Sequence, residues 1–437
     1  MRTRPVALVA AVAGLAATAA LVPAGAQPAR LRFSAPVTAI PAPGVGKANT
    51  GEPRVIALPS GRLLLSAQFQ QWDCATGKPS SDTLQMCVWA SDDGGRSWHI
   101  SGGDPQTGDD ADFAVAPDGS VLQIGMNDFT VGSVTTGTGL GGTTVMRSGD
   151  DGRTWSQEVA ANKSVVNDRP FVLATPHAVL MTFTNIDGNI DVVRSTDGGK
   201  TWSLPAMVTT FVRGHTIEVN GGPVYDAGRH TVLAPYLYST DPSCASGAAG
   251  CFNVLALATS SDDGQTWTTE PVLTVPNGGM TSMPQVSVDA AGHRYITYGG
   301  VEDGHYHVFV TDSTPGGHWS AARTVDGAQS SGMLPWAIAG SRGHLDVAFY
   351  RSAYGDAAST SRAWEFVVAD SRDGGHQWQS SVVAPGAYVG TGADHQFKIW
   401  DLVGMTRTRS GRLVVAWTDD LGKNSNPSIV RVAHSLG

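Results

Sequence analysis

The chain has 437 residues, of which 53 are Gly and 24 Pro, so about one residue in six is a turn former where an average chain has roughly 12%. Charged residues make up 15% and hydrophobic ones 41%, and Trp equals Phe at 12 each, a profile that excludes disorder, coiled coil and collagen and fits many short strands joined by Gly-rich turns. A formal net charge of −9 offers no basic face for phosphates, which argues against nucleic acid as a partner.

In chain order, residues 1–26 read as a signal peptide. Arg2 and Arg4 precede an apolar run from Val6 to Leu21, and Pro23-Ala24-Gly25-Ala26 ends in a small-x-small cleavage pattern. The alternative is an uncleaved anchor. No later apolar run is long enough to span a bilayer, so residues 27–437 are expected to form a single soluble, secreted domain, a monomer. Cys74 and Cys87 lie 13 apart and Cys244 and Cys251 lie 7 apart, with no CxxC and no His at zinc-ligand spacing. Three connectivities are possible. Two local disulfides, Cys74 to Cys87 and Cys244 to Cys251, are the expected ones in an oxidising compartment. Between them, Gly103 to Asp112 is acid-rich and is weighed as a Ca2+ loop against a solvated one; it lacks EF-hand spacing, and no other cofactor or metal is expected.

From Ser91 onward a repeat sets the architecture. Ser91-Asp92-Asp93-Gly94-Gly95-Arg96-Ser97-Trp98 recurs at Ser148 to Trp155, Ser195 to Trp202 and Ser260 to Trp267, with weaker copies at Asp312 to Trp319 and Ser371 to Trp378. The Trp residues are spaced by 57, 47, 65, 52 and 59. Each copy makes sense as a turn: Asp accepts backbone N–H groups, Gly supplies positive φ, and Trp anchors the exit. Each interval holds four short strand patterns, the size of a propeller blade. Innermost strands are predicted at Arg54 to Leu58, Asp112 to Ala116, Arg169 to Leu173, Gly222 to Asp226, Pro284 to Asp289, Leu334 to Ala339 and Ile399 to Arg407. The fold class is therefore an all-β propeller of seven blades, with six as the alternative. The seventh unit ends before its fourth strand, and Leu31 to Val37 is expected to supply it and so remove the open edge of the ring.

The repeated turn resembles the Asp-box, or BNR repeat, and nearly the whole mature chain resembles the bacterial secreted propellers grouped as sialidase-like. That resemblance implies a glycoside hydrolase acting on glycans, with three Arg on a substrate carboxylate, a Tyr nucleophile beside a Glu, and an Asp acid/base. Glu52-Pro53-Arg54-Val55-Ile56-Ala57-Leu58 followed by Gly61-Arg62-Leu63-Leu64 is similar to the family's Arg-Ile-Pro strand, which implies Arg54 as a substrate ligand. The alternative for Arg54 is an ion pair between blades. Asp73 and Asp82, in the loop after Trp72, stand where the family's catalytic Asp falls; an ordinary surface acid is the alternative for Asp82. Arg169 and Arg362 are candidates to fill out the Arg cluster, although their order along the chain departs from the family's. Trp400-Asp401-Leu402 stands where a Tyr-Ser-x-Leu-like element would give the nucleophile, and Trp cannot serve as one.

The face opposite the repeated turns is expected to present Glu52, Asp110, Asp112, Asn167, Asp168, Asn185 and Asp187 as well, with Trp72, Tyr236, Tyr238 and Trp400 offering ring faces to a sugar. Carbohydrate or a glycoconjugate is the expected partner. A non-catalytic propeller that binds glycan or protein is the alternative, and a polysaccharide lyase using Tyr236, Tyr238, His215 and His395 a third. No phosphate loop, HExxH or strand-to-helix Gly-x-Ser-x-Gly is present, so NTPase, zincin and serine hydrolase chemistries are excluded.

Overall fold

The computed structural model describes residues 30–44, 50–80, 85–104, 109–126, 142–156, 159–161, 167–185, 187–209, 219–241, 251–275, 280, 282–314, 316–327, 329–352, 362–390, 399–421 and 428–436. The expected signal peptide, Asp82, Cys244, His215 and His395 lie outside them. Among the described residues no helix is long and apolar enough to cross a membrane.

Seven antiparallel sheets stand around an axis. Blade 1 runs outward through Gly51–Ala57, Leu63–Gln68, Met86–Ser91 and His99–Asp104. Blades 2 to 6 repeat that order, with inner strands Asp109–Val115, Asn167–Ala174, Val224–Asp226, Gln285–Val288 and Ser331–Ala339. Blade 7 has Gly404–Arg407, Leu413–Asp419 and Ile429–Leu436, and the N-terminus completes it: Arg32 and Phe33 pair with Leu436 and Ser435, and Val37 pairs with Val432. The seven-bladed count and the N-terminal closure agree with the sequence. The strand boundaries differ: the inner strands of blades 1, 2, 3 and 6 start two or three residues earlier than expected, with Gly51, Asp109, Asn167 and Ser331, and that of blade 7 starts at Gly404 instead of Ile399.

Second and third strands are buried on both faces, as in Leu63–Gln68 and Met86–Ser91, so they carry near-continuous apolar runs. Seven apolar clusters fill the seven gaps between blades. Leu64 and Val88 of blade 1, for instance, meet Phe113 and Val121 of blade 2, and Phe366 of blade 6 stacks on Trp417 of blade 7 with centroids 4.9 Å apart. A ring sealed at every interface leaves function to its two ends.

The repeated turns occupy one end. In the second copy the Asp150 carboxylate accepts from Ser148 Oγ, the Arg153 and Thr154 amides, and Thr154 Oγ1 at 2.6 Å. The Gly at the fifth position of the turn is dictated twice in the second, third and fourth copies. Gly152 has φ 74°, and a Cβ there would come within 2.8 Å of Leu64 in the preceding blade; Gly199 and Gly264 meet Leu122 and Leu180 in the same way. Donation by the Thr154 hydroxyl and amide, against a smaller effect of burial, pulls the Asp150 carboxyl down to about 2. Because the folded-state value is depressed, its contribution is complete above the ordinary carboxylate range and disappears as pH falls toward 2. Asp150→Ala is therefore expected to cost about 1–2 kcal/mol at pH 7 and close to nothing at pH 2, read by urea unfolding at both pH values.

The expected Cys74–Cys87 disulfide is formed, with Cα atoms 5.0 Å apart. It ties the hairpin of Trp72–Asp73 and Lys78–Pro79 to the third strand of blade 1. Cys251 is also disulfide-bonded.

Candidate functional site

Four inner strands begin with the same irregularity. Glu52, Asp110, Arg169 and Leu334 have φ of 49°, 49°, 53° and 55°, a left-handed conformation that costs a non-Gly residue roughly 1–3 kcal/mol. At each the ladder slips, between Gly51 and Arg54, Ile124 and Met126, Asp168 and Phe171, and Met333 and Trp336. A bulge re-aims a side chain. Here it builds two tiers around the axis: Glu52, Asp110, Arg169 and Leu334 above, and two residues further along each strand Arg54, Asp112, Phe171 and Trp336 below.

The lower tier closes the channel. Arg54 Nε and Nη2 donate to Asp112 Oδ1 at 3.0 and 2.7 Å, and its guanidinium lies 3.7 Å from the ring centroid of Trp336 and 5.9 Å from that of Phe171. The other Asp112 oxygen accepts the Val172 amide at 3.0 Å. Below this plug is a cavity of about 250 Å³ lined by Gly222, Gln285, Val286 and Ile338 together with the plug itself. Of the two readings of Arg54, the ion pair between blades is the geometry present.

The upper tier collects acids around one base. Glu52, Asp109 and Asp110 have carboxylate oxygens within 4.8 Å of one another. Glu52 also accepts the Asp401 amide at 2.9 Å, and Asp110 accepts the Arg169 amide at 3.0 Å. Burial above all, then the charges of Asp110 and Asp401, pushes the Glu52 carboxyl well above the usual range. Asp110 is raised by burial too, against the hydrogen bond it shares with Glu52. Buried side by side, each carboxyl disfavours the charge of the other. Arg169 Nη1 and Nη2 reach Asp168 at 2.9 Å and Asp401 at 3.2 Å. Burial works against its charge, but the carboxylates of Asp168, Asp401 and Asp110 outweigh it and keep Arg169 protonated. Half-buried Trp400 packs 4.8 Å from Phe69, and a Cβ on Gly51 would overlap its ring at 1.8 Å, so a glycine is required there.

Arg169 and Trp400 are thus brought to one place by blades 3 and 7. Other expected residues sit elsewhere. Asp73 Oδ1 caps its own turn by accepting the Ala75 and Thr76 amides, and donation by Thr76 lowers its carboxyl, the opposite of what a proton-donating acid requires. Trp72 Nε1 donates to Pro41, and its ring meets Trp89 edge-on. Tyr236 is buried in the core between blades 3 and 4, with Tyr238 stacked on it at 6.0 Å. Arg362 opens the third strand of blade 6; its side chain lies outside the described residues. The segment weighed as a Ca2+ loop is not a solvated loop at its end: Asp109 to Asp112 start a strand, and Asp110 and Asp112 are buried.

A second cluster of metal-ligand types, His344, Asp346 and Asp370, is tied up by Arg407 on Asp346 and Arg372 on Asp370. Two guanidiniums supply the charge that a cation would bring.

No sequence signal pairs Glu52 with Asp110, which Ala111 follows, but one marks the bulged positions of other blades. Pro follows the upper-tier position in three blades, at Glu52-Pro53-Arg54, Arg169-Pro170-Phe171 and Leu334-Pro335-Trp336, and Met283-Pro284-Gln285 repeats the pattern in a fourth. The residues after those prolines all line the axial cavity.

No protein-family model matches the chain, and no curated protein sequence does. Solved structures match over nearly the full length. A protein of unknown function from Dyadobacter fermentans has a TM-score of 0.55 at 15% identity, covering 93% of this chain and 98% of its own. An ulvan lyase has a TM-score of 0.57 at 11%, covering 91% and 95%. The α-L-arabinofuranosidase from Fusarium graminearum, in complex with an iminosugar inhibitor, has 0.50 at 13%, covering 92% and 97%. At these identities the likeness is one of fold.

Proposed function

We propose that the protein is a secreted glycoside hydrolase of the sialidase-like Asp-box kind, with its site at the upper tier. The observation that carries this reading is the Glu52–Asp110 pair. A carboxyl whose burial favours its protonated form, beside the Asp168 and Asp401 carboxylates paired with Arg169, is the division between acid and base that glycosidic cleavage needs. Glu52 gives its proton to the glycosidic oxygen as the C–O bond breaks. A carboxylate on Arg169 stabilises the positive charge developing on the ring, and water adds its hydroxyl to the anomeric carbon while its proton returns to the carboxylate left on Glu52. Half-buried Trp400 offers its ring to a sugar face. Secretion is supported by residues 1–26 and by the Cys74–Cys87 disulfide.

This site differs from the sialidase arrangement. By the sequence resemblance Trp400 stands where the nucleophilic Tyr would be, and Arg54 is engaged by Asp112. A panel of fluorogenic sialosides, arabinosides, galactosides and uronides tests the reading. Turnover of at least one member is expected, and silence across the panel ends the hydrolase proposal. The Trp400–Phe69 platform favours, as the second reading, a glycan-binding propeller without activity; glycan-array binding without turnover would support it.

A further inference from the structure

Blade 3 carries a second group of oxygens. Between its strands Val179–Asn185 and Ile190–Ser195 runs Asn185-Ile186-Asp187-Gly188-Asn189-Ile190-Asp191, an oxygen-bearing side chain at every second position with Gly188 at φ 80°. Phe183 pairs with Asp191 and Thr184 with Ile190, and the Asn185 amide donates to the Asn189 carbonyl at 2.8 Å. Partners across an antiparallel ladder share a face, as do residues two apart. The register therefore places Asn185, Asn189 and Asp191 on one face, with Asp187 at the hairpin tip.

Two of these side chains are buried without satisfaction. Asn189 and Asp191 are 8% and 9% exposed, and neither Asn189 Oδ1 nor Asp191 Oδ1 accepts a hydrogen bond. The other Asp191 oxygen takes the Asn185 amide group at 2.8 Å, and Asn185 Oδ1 is used by the Asp187 and Asn189 amides. Burial above all, against the bond from Asn185 and with a smaller push from the Asp187 carboxylate, raises the Asp191 carboxyl above its ordinary value. Buried acceptors normally find donors. Here two lack them, and the nearby carboxylates make a cation a better partner than a neutral donor.

We propose that this hairpin binds one Ca2+ ion through Asp187, Asn189 and Asp191, with water completing the shell. Oxygen-only donors of mixed charge on a turn suit a hard cation that accepts six to eight ligands in irregular geometry. Mg2+ demands a near-ideal octahedron, and Zn2+ selects the nitrogen or sulfur ligands missing from this set.

The test uses the purified full-length chain, stripped with EDTA and titrated calorimetrically with CaCl2 and, separately, MgCl2. One Ca2+ per chain is expected, with a rise in Tm of roughly 3 °C at a hundredfold excess over Kd and a smaller response to Mg2+. Asp191→Asn, nearly isosteric, and Asp187→Ala, at an exposed tip, should each weaken binding at least tenfold, while Glu52→Gln leaves it intact. In EDTA, Asp191→Asn should melt no lower than wild type, because it removes a buried charge, and the order should reverse in Ca2+. Absence of Ca2+ binding to wild type, full binding by both blade 3 variants, or loss of binding in Glu52→Gln in their place would overturn the proposal.

Discussion

Glu52→Gln should abolish most activity and stabilise the protein in the same stroke. As the proton donor, Glu52 is expected to supply about 10²–10⁴-fold in kcat, and Gln cannot replace it. The stability effect follows from linkage. Unfolded, Glu52 titrates near 4.3; folded, burial and the charges of Asp110 and Asp401 hold its proton to much higher pH. Between those values the unfolded chain is ionised and the folded one is not, so wild-type stability falls as pH rises. Gln keeps a donor for Asp110 and never ionises. The gain should be near zero at pH 4 and grow to about 1–3 kcal/mol toward neutral pH, read by urea unfolding at a series of pH values. Wild-type kcat should fall as pH rises through the same raised value. Equal stability of the two proteins at pH 4 and pH 8, or activity retained by the variant, would remove Glu52 from the acid's role. Higher stability bought at the expense of activity is the usual mark of a strained functional site.

Arg54→Ala should be among the most destabilising single changes in the chain, about 3–5 kcal/mol, because it leaves the buried Asp112 without its cation and opens space over Trp336. This loss confounds any reading of lost activity as lost substrate binding. The informative protein is the double variant Arg54→Met/Asp112→Asn, in which Asn still accepts the Val172 amide and Met refills the space against Trp336. If Arg54 is a plug between blades, the double variant recovers most of the Tm and keeps the wild-type KM, and a double-mutant cycle returns a coupling of about 2 kcal/mol. A substrate clamp gives another outcome, in which KM stays raised in the double variant however well it melts.

The parts legible in the sequence share one property: their chemistry is local and repeated. Ser148, Asp150, Gly152 and Thr154 satisfy one another within seven residues, so the turn, its spacing and the number of blades could be read from the order of residues. The unfinished seventh unit and the strand pattern at Leu31 to Val37 pointed to closure because a propeller cannot leave an edge exposed. Cys74 and Cys87 were close enough in the chain to be paired by proximity.

What only the tertiary structure decided is where side chains from different blades meet. Glu52 and Asp110 are 58 positions apart, Arg169 and Asp401 are 232, and no spacing rule links them. They converge because bulges in separate strands turn Glu52, Asp110 and Arg169 toward one axis and Trp400 lies against Gly51. The same long-range geometry gives Arg54, of its two readings, the ion pair with Asp112, and sets Tyr236 in the core between two blades. Local hydrogen bonding determined the blades; their closure into a ring, which buries carboxyls side by side in a low-dielectric centre, determined which of the 38 acids are pushed toward their protonated form.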